Sequence, residues 1–188
     1  MKEAQRLTDE EIAKRMQQGE LELYEELVKR YQKKLINYAR TIVYDEDAAV
    51  DVVQDGLIKG YKKINSFDTS KKFSSWIFRI IHNQGIDYIR KHKREVAVRD
   101  QEWILDSVPT KEDREEELEQ KMLKVEMHKC IQALPVDYRT VITLYYLEEK
   151  SYSEISDILR IPAGTVATRL SRGKKALAAI CTDLGDRI

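Results

Sequence analysis

Apolar residues along this chain return every three or four positions and nowhere alternate in strand fashion, so the pattern predicts an all-α fold. A short helix is expected near Thr8–Gln18, opened by Thr8 with Glu11 as a capping box and ended by Gly19. From Leu21 to Val43, the residues Tyr24, Leu27, Val28, Tyr31, Leu35, Tyr38 and Ile42 form one face of a long helix. A third helix, about Asp47 to Ile64, turns Val50, Val53, Leu57, Tyr61 and Ile64 inward. Its Gly56 and Gly60 invite close approach by a neighbour. After the turn-forming stretch NSFDTS comes a fourth, Phe73 to about Lys93, burying Trp76, Ile77, Ile80, Ile81 and Tyr88.

Periodicity lapses from about Glu95 to Arg114, around Pro109, which reads as a linker. Helices resume at Glu116–Leu134 and, beyond Pro135, at Asp137–Leu147. The chain therefore divides into helical domains at 1–94 and 115–188, with an acidic tether at 95–114.

The second domain ends in SYSEISDILRIPAGTVATRLSRGKKAL. Ser151 and Glu154 form a second capping box, and Pro162 and Gly164 are expected to make the turn. Ile155, Ile158, Leu159, Ile161, Val166 and Leu170 supply a small core between two crossing helices. The second of these carries Arg169, Arg172, Lys174 and Lys175, with no acidic residue from Thr165 to Ile180. A helix-turn-helix presenting such a face suits the major groove of DNA; a solvated basic helix is the alternative.

Charge sharpens this picture because it is segregated. The chain has 33 basic and 33 acidic residues and no formal net charge. Lys91–Arg94 and Arg169–Lys175 are basic blocks, whereas Asp106–Glu119 is acidic, as in a protein that touches polyanion in some places and avoids it in others. No secretory or membrane-spanning run appears, and Cys130 and Cys181 stand in unrelated contexts. A cytoplasmic protein with separate reduced thiols is expected, without a zinc site, since no paired ligand motif accompanies His128 and Cys130.

Catalytic chemistry finds no foothold. His82, His92 and His128 lack a nucleophile partner, and no glycine-rich phosphate or dinucleotide loop exists. The chain reads as a non-enzyme without cofactor or small-molecule substrate. Binding chemistry is better supplied. On the fourth helix, Trp76 could stack on an unpaired base or belong to the core. Asn83 and Gln84 can read base edges, while Arg79, Arg90, Lys91, Lys93 and Arg94 can hold phosphates, with Lys71 and Lys72 in the same single-strand set. On the third, Asp51, Gln54 and Asp55 project opposite the apolar stripe, either as a solvated face or as a complement to a basic protein partner.

In order along the chain, DVVQDGLIKGY, INSFDTSKKFSSWIFRIIHNQGIDYIRKHKR and LPVDYRTVITLYYLEEKSYSEISDILRIPAGTVATRLSRGKKAL resemble the extracytoplasmic-function (ECF) sigma factors of the sigma-70 family. The resemblance implies a promoter-specificity subunit of RNA polymerase that assists promoter opening. Asp51, Gln54 and Asp55 would dock on the clamp helices of the polymerase β′ subunit, with the β subunit as a further contact. Ser66–Lys72 and the fourth helix through Asn83 would capture a flipped base of the −10 element. Ala167, Thr168, Ser171 and Arg172 would face bases of the −35 duplex, and Tyr152, Ser153, Thr165, Arg169 and Lys175 would position it. The tether would follow the RNA-exit path. Departures at Ala167, Arg160 and Gly173 imply an altered promoter preference and turn. A monomer is expected, regulated by an anti-sigma factor that is frequently membrane-anchored in such systems. The rival reading is a stand-alone helix-turn-helix regulator.

Overall fold

The computed structural model describes residues 6–92, 127 and 129–185, with side chains through 182. The tether at 95–114, Lys93, Arg94, His128 and most of the helix expected from Glu116 lie outside the described residues.

Local signals set the first boundaries. Helix α1 (Asp9–Gln17) opens on the expected box, in which Thr8 Oγ1 accepts from Glu11 N at 3.2 Å and Glu11 Oε2 accepts from Thr8 N at 2.7 Å. A 3-10 turn (Leu21–Leu23) leads into α2 (Tyr24–Val43). Helix α3 (Glu46–Lys63) is capped by Asp45, whose carboxylate accepts from Ala48 N at 2.7 Å. Helix α4 (Phe73–Lys91) packs across α2 and α3 over a core that includes Leu35, Tyr38, Ile42, Val53, Ile77, Phe78 and Ile81. A Cβ on Gly60 would sit 3.0 Å from Ile77 Cδ1, and one on Gly56 closer still to Ile81, so these glycines set the α3–α4 approach.

The C-terminal module comprises a helical turn at 129–132, α5 (Val136–Ile142), a π-helical stretch (Thr143–Leu147), α6 (Tyr152–Leu159) and α7 (Ala163–Gly185). Val141, Ile142, Leu144, Ile155, Ile158, Val166 and Leu170 form its core. Gly173, a helix weakener by propensity, sits at a close helix contact here. A Cβ there would lie 3.2 Å from Ile142 and 3.3 Å from Tyr138.

Several expectations need correction. The turn between α6 and α7 is made by Arg160 in the left-handed region (φ 56), and Gly164 falls inside the first turn of α7. Pro162 instead offers its carbonyl to Thr165 N at 2.8 Å, so it starts a helix rather than breaking one. Tyr61 points outward, 39% exposed, beside Tyr24, because the glycine ridge and not the aromatic faces α4. Cys130 and Cys181 are not separate thiols. They form a disulfide across 51 residues of sequence, with Cα atoms 5.5 Å apart.

The two modules pack against each other. Arg139 on α5 is fully buried. Its guanidinium donates to Thr41 O at the end of α2, to Gln132 O at 2.7 Å and to Leu134 O at 2.8 Å, and it lies 3.9 Å from the centroid of the Tyr44 ring. Burial pulls its pKa down to about 9, which leaves it charged at neutral pH. The Tyr44 hydroxyl donates to Gln132 O at 3.1 Å. One cation therefore binds carbonyls from both modules.

Candidate nucleic-acid and protein interfaces

Helix α3 presents its acid-amide face intact. Asp51, Gln54 and Asp55 are exposed, and none of their side chains forms a hydrogen bond or ion pair among the described residues. One turn further, Ile58 continues the row and is 52% exposed. An apolar side chain ringed by polar ones has the make-up of an interface anchor. Reading α3 for its inward stripe alone misses Ile58; its place one heptad after Asp51 is the signal that finds it.

The loop before α4 is held from the other side. Gln17 Nε2 donates to Ile64 O at 2.8 Å and Phe67 O at 2.7 Å, and Glu10 Oε1 accepts from Phe73 N at 2.9 Å. Asp68 turns the loop by accepting from Ser70 N and Ser70 Oγ, bonds that hold its carboxyl below the ordinary range. Gln17 and Glu10 carry no motif, so their positioning role was invisible in the sequence. Lys71 and Lys72 are exposed at the loop's end.

The candidate strand-binding residues of α4 separate into several groups. Trp76 is only 8% exposed, packed 5.1 Å from Phe67 and 5.5 Å from Phe73 between ring centroids. The aromatic cluster occupies its faces, so it is core rather than a stacking platform. Asn83 is exposed. Gln84 accepts from Lys59 Nζ at 2.8 Å, and Arg90 pairs at the surface with Asp87 at 3.1 Å. Arg79 reaches across to α6 and pairs with Asp157 at 2.9 Å. Beside it, Lys150 Nζ donates to Ser74 Oγ at 3.1 Å, and burial lowers its pKa. Lys150 and Ser74 border a cleft of about 530 Å³ in which Lys34, Lys71 and Lys72 face Glu10, Glu148 and Glu149. Such mixed charge does not favour a polyanion. His82, also on α4, has its Nδ1 3.0 Å from the Tyr38 hydroxyl, and burial drives its pKa down to about 4.

On α7, Thr168, Ser171, Arg172 and Lys175 share one exposed face at helical spacing, with Thr165 and Ala167 half-buried beside them. Thr168 Oγ1 donates to Gly164 O at 2.9 Å. Arg169 turns away from that face to pair with Asp137 of α5 at 3.1 Å, so its charge braces the module. Ser153 and Tyr152 are exposed at the start of α6, Tyr152 resting 5.5 Å from Tyr145.

The chain matches the Sigma-70 region 2 family over residues 27–95 and the Sigma-70 region 4 family over residues 124–177. It is 36% identical to the ECF RNA polymerase sigma factor SigW of Bacillus subtilis, covering 91% of this chain and 95% of that protein. With the ECF RNA polymerase sigma-E factor of Haemophilus influenzae the identity is 33%, over 93% and 95% of the two chains. Among solved structures, the sigma factor RpoE of Bartonella quintana, in complex with the anti-sigma factor NepR, aligns with a TM-score of 0.66 and 26% identity over 85% of this chain and 96% of that one. CnrH, in complex with the cytosolic domain of CnrY, shares the fold with a TM-score of 0.69 and 24% identity, over 93% and 97%. An exposed acid-amide helix face, a pinned loop before α4 and a helix-turn-helix thus stand in the order of two sigma-70 regions, and the chain belongs to the ECF sigma factors of the sigma-70 family.

Proposed function

We propose that this sigma factor binds core RNA polymerase through the α3 face and reads its promoter with two separate DNA surfaces. Asp51, Gln54 and Asp55 supply negative and amide groups for basic helices of the β′ clamp, and Ile58 supplies the apolar centre. The loop at 65–72, with Lys71, Lys72 and Asn83, takes the unpaired strand of the −10 element. Its anchoring by Gln17 and Glu10 lowers the entropy lost on capture. The exposed face of α7 enters the −35 major groove. There Arg172 can bind guanine through both guanidinium nitrogens, while Thr168 and Ser171 contact neighbouring base edges. Tyr152, Ser153, Thr165 and Lys175 serve the phosphates.

Arg79 is bonded to Asp157, so its use on the −10 strand requires the α4–α6 joint to open. Core polymerase, holding the modules apart through β′ and β, supplies that opening. The protein acts as a cytoplasmic monomer with modules at 1–94 and 115–188. An anti-sigma partner is supported by the sigma–anti-sigma complex of the similar Bartonella protein.

The observation that carries the DNA reading is the row Thr168, Ser171, Arg172 and Lys175, exposed together on the second helix of a helix-turn-helix. Transcript starts mapped after overproduction define the promoters, and run-off transcription with core polymerase tests the assignment. Arg172→Ala should reduce specific initiation by roughly tenfold or more, the ~1–3 kcal/mol of one base-reading arginine. A wild-type chain that fails to direct specific initiation contradicts the proposal.

A further inference from the structure

Cys130 and Cys181 belong to different parts of the C-terminal module. Cys130 lies in the helical turn at 129–132 and is 3% exposed. Cys181, half-buried, sits near the end of α7, beyond the DNA-facing residues. Their Cα separation of 5.5 Å falls in the ordinary range for a disulfide. The turn is also part of the joint. Gln132 O accepts from Tyr44 and Arg139, and Leu134 O accepts from Arg139. Among the described side chains past Leu177, Ala178, Ala179 and Thr182 are exposed, and Ile180 and Cys181 are half-buried.

We propose that Cys130 and Cys181 form a reversible redox site that staples the end of α7 to the turn on which the two modules meet. The oxidant class is a low-molecular-weight disulfide such as oxidised glutathione. The more accessible Cys181, as thiolate, attacks one sulfur of that disulfide, giving a mixed disulfide and releasing one small thiolate. The Cys130 thiolate then displaces the second. Two protein thiols are oxidised by two electrons, one small disulfide is reduced to two thiols, and the two protons end on the released thiols. Reduced, the last turns of α7 fray; oxidised, they are fixed. Thr168, Ser171, Arg172 and Lys175 stay clear of the bridge in both states. The site is independent of the promoter assignments and stands or falls separately.

Full-length protein equilibrated in oxidised or reduced glutathione, then alkylated with a maleimide under denaturing conditions, tests this. Under oxidising conditions the expected product is a monomer with neither cysteine labelled and Cys130 linked to Cys181 in its peptide map. Backbone amides at 178–185 should exchange about tenfold or more slowly than in the reduced form, and the thermal midpoint should rise by at least about 5 °C. Cys181→Ser and Cys130→Ala should abolish both redox responses. If Cys181→Ser alone folds, its failure to respond suffices. Two cysteines that remain labelled, pair only between chains, or bridge without slowing exchange at 178–185 would overturn the proposal.

Discussion

Helices α3 and α4 pack together, yet the polar side chains of their exposed faces are in opposite states. On α3, Asp51, Gln54, Asp55 and Ile58 are exposed and form no side-chain bond among the described residues. On α4, Arg79, Gln84 and Arg90 already hold Asp157, Lys59 and Asp87. In the proposed function, a protein partner on α3 leaves the fold undisturbed, whereas a DNA strand that uses Arg79, Gln84 or Arg90 displaces their present partners. On the proposed assignments, polymerase docking therefore comes before these α4 residues read the −10 strand.

The strongest way to break this comparison is to loosen the packing of the two modules, across which Arg79 of α4 reaches Asp157. Arg139→Ala would orphan the buried carbonyls of Thr41, Gln132 and Leu134. It should cost about 3 kcal/mol or more in urea unfolding, while polymerase docking through α3 is retained. Joint reversal of Asp51 and Asp55 to lysine should weaken core-polymerase binding about 100-fold by titration, leaving the unfolding midpoint nearly unchanged; equal loss of stability would show that the α3 face is structural.

Acid sharpens the comparison from the other side. His82 has a folded pKa of about 4 against the usual 6.5, so the unfolded chain binds its proton more readily. Its contribution is therefore complete above about pH 6.5 and declines as pH falls toward 4, by about 2 kcal/mol at pH 5. Tyr38, Asp137 and Arg169 are the groups that face it. Urea unfolding at pH 7 and pH 5 should show this loss, and His82→Gln should remove that part of the slope.

Two smaller effects remain. Ile58→Ala should weaken core binding about fivefold to tenfold without loss of stability, because Ile58 already faces solvent. Asp157→Asn should change stability by less than about 1 kcal/mol, as a partly exposed ion pair would. It should raise affinity for a single-stranded −10 oligonucleotide about twofold by freeing Arg79; unchanged affinity would remove Arg79 from the strand-binding set.

Much of this was legible in the chain. Capping boxes at Thr8 and Ser151 are local, and each helix begins where its box places it. The Gly56–Gly60 pair announced a close helix contact because only α4 packing justifies two glycines there. What stayed hidden depends on distant partners. Trp76 could be core or stacking platform until Phe67 and Phe73 were seen against it. Arg79 and Arg169 looked alike as free cations, but Asp157 and Asp137 claim them. The Cys130–Cys181 bridge spans 51 residues without a motif, and the left-handed Arg160 occupies a conformation that sequence would give to glycine.

The most direct test measures affinity for a mapped promoter fragment with and without core polymerase, at one salt concentration. If docking on α3 must precede promoter reading, core polymerase should tighten binding at least about 100-fold, and the Asp51 and Asp55 double reversal should erase the gain. Equally tight binding by the chain alone would contradict that order and favour a stand-alone regulator.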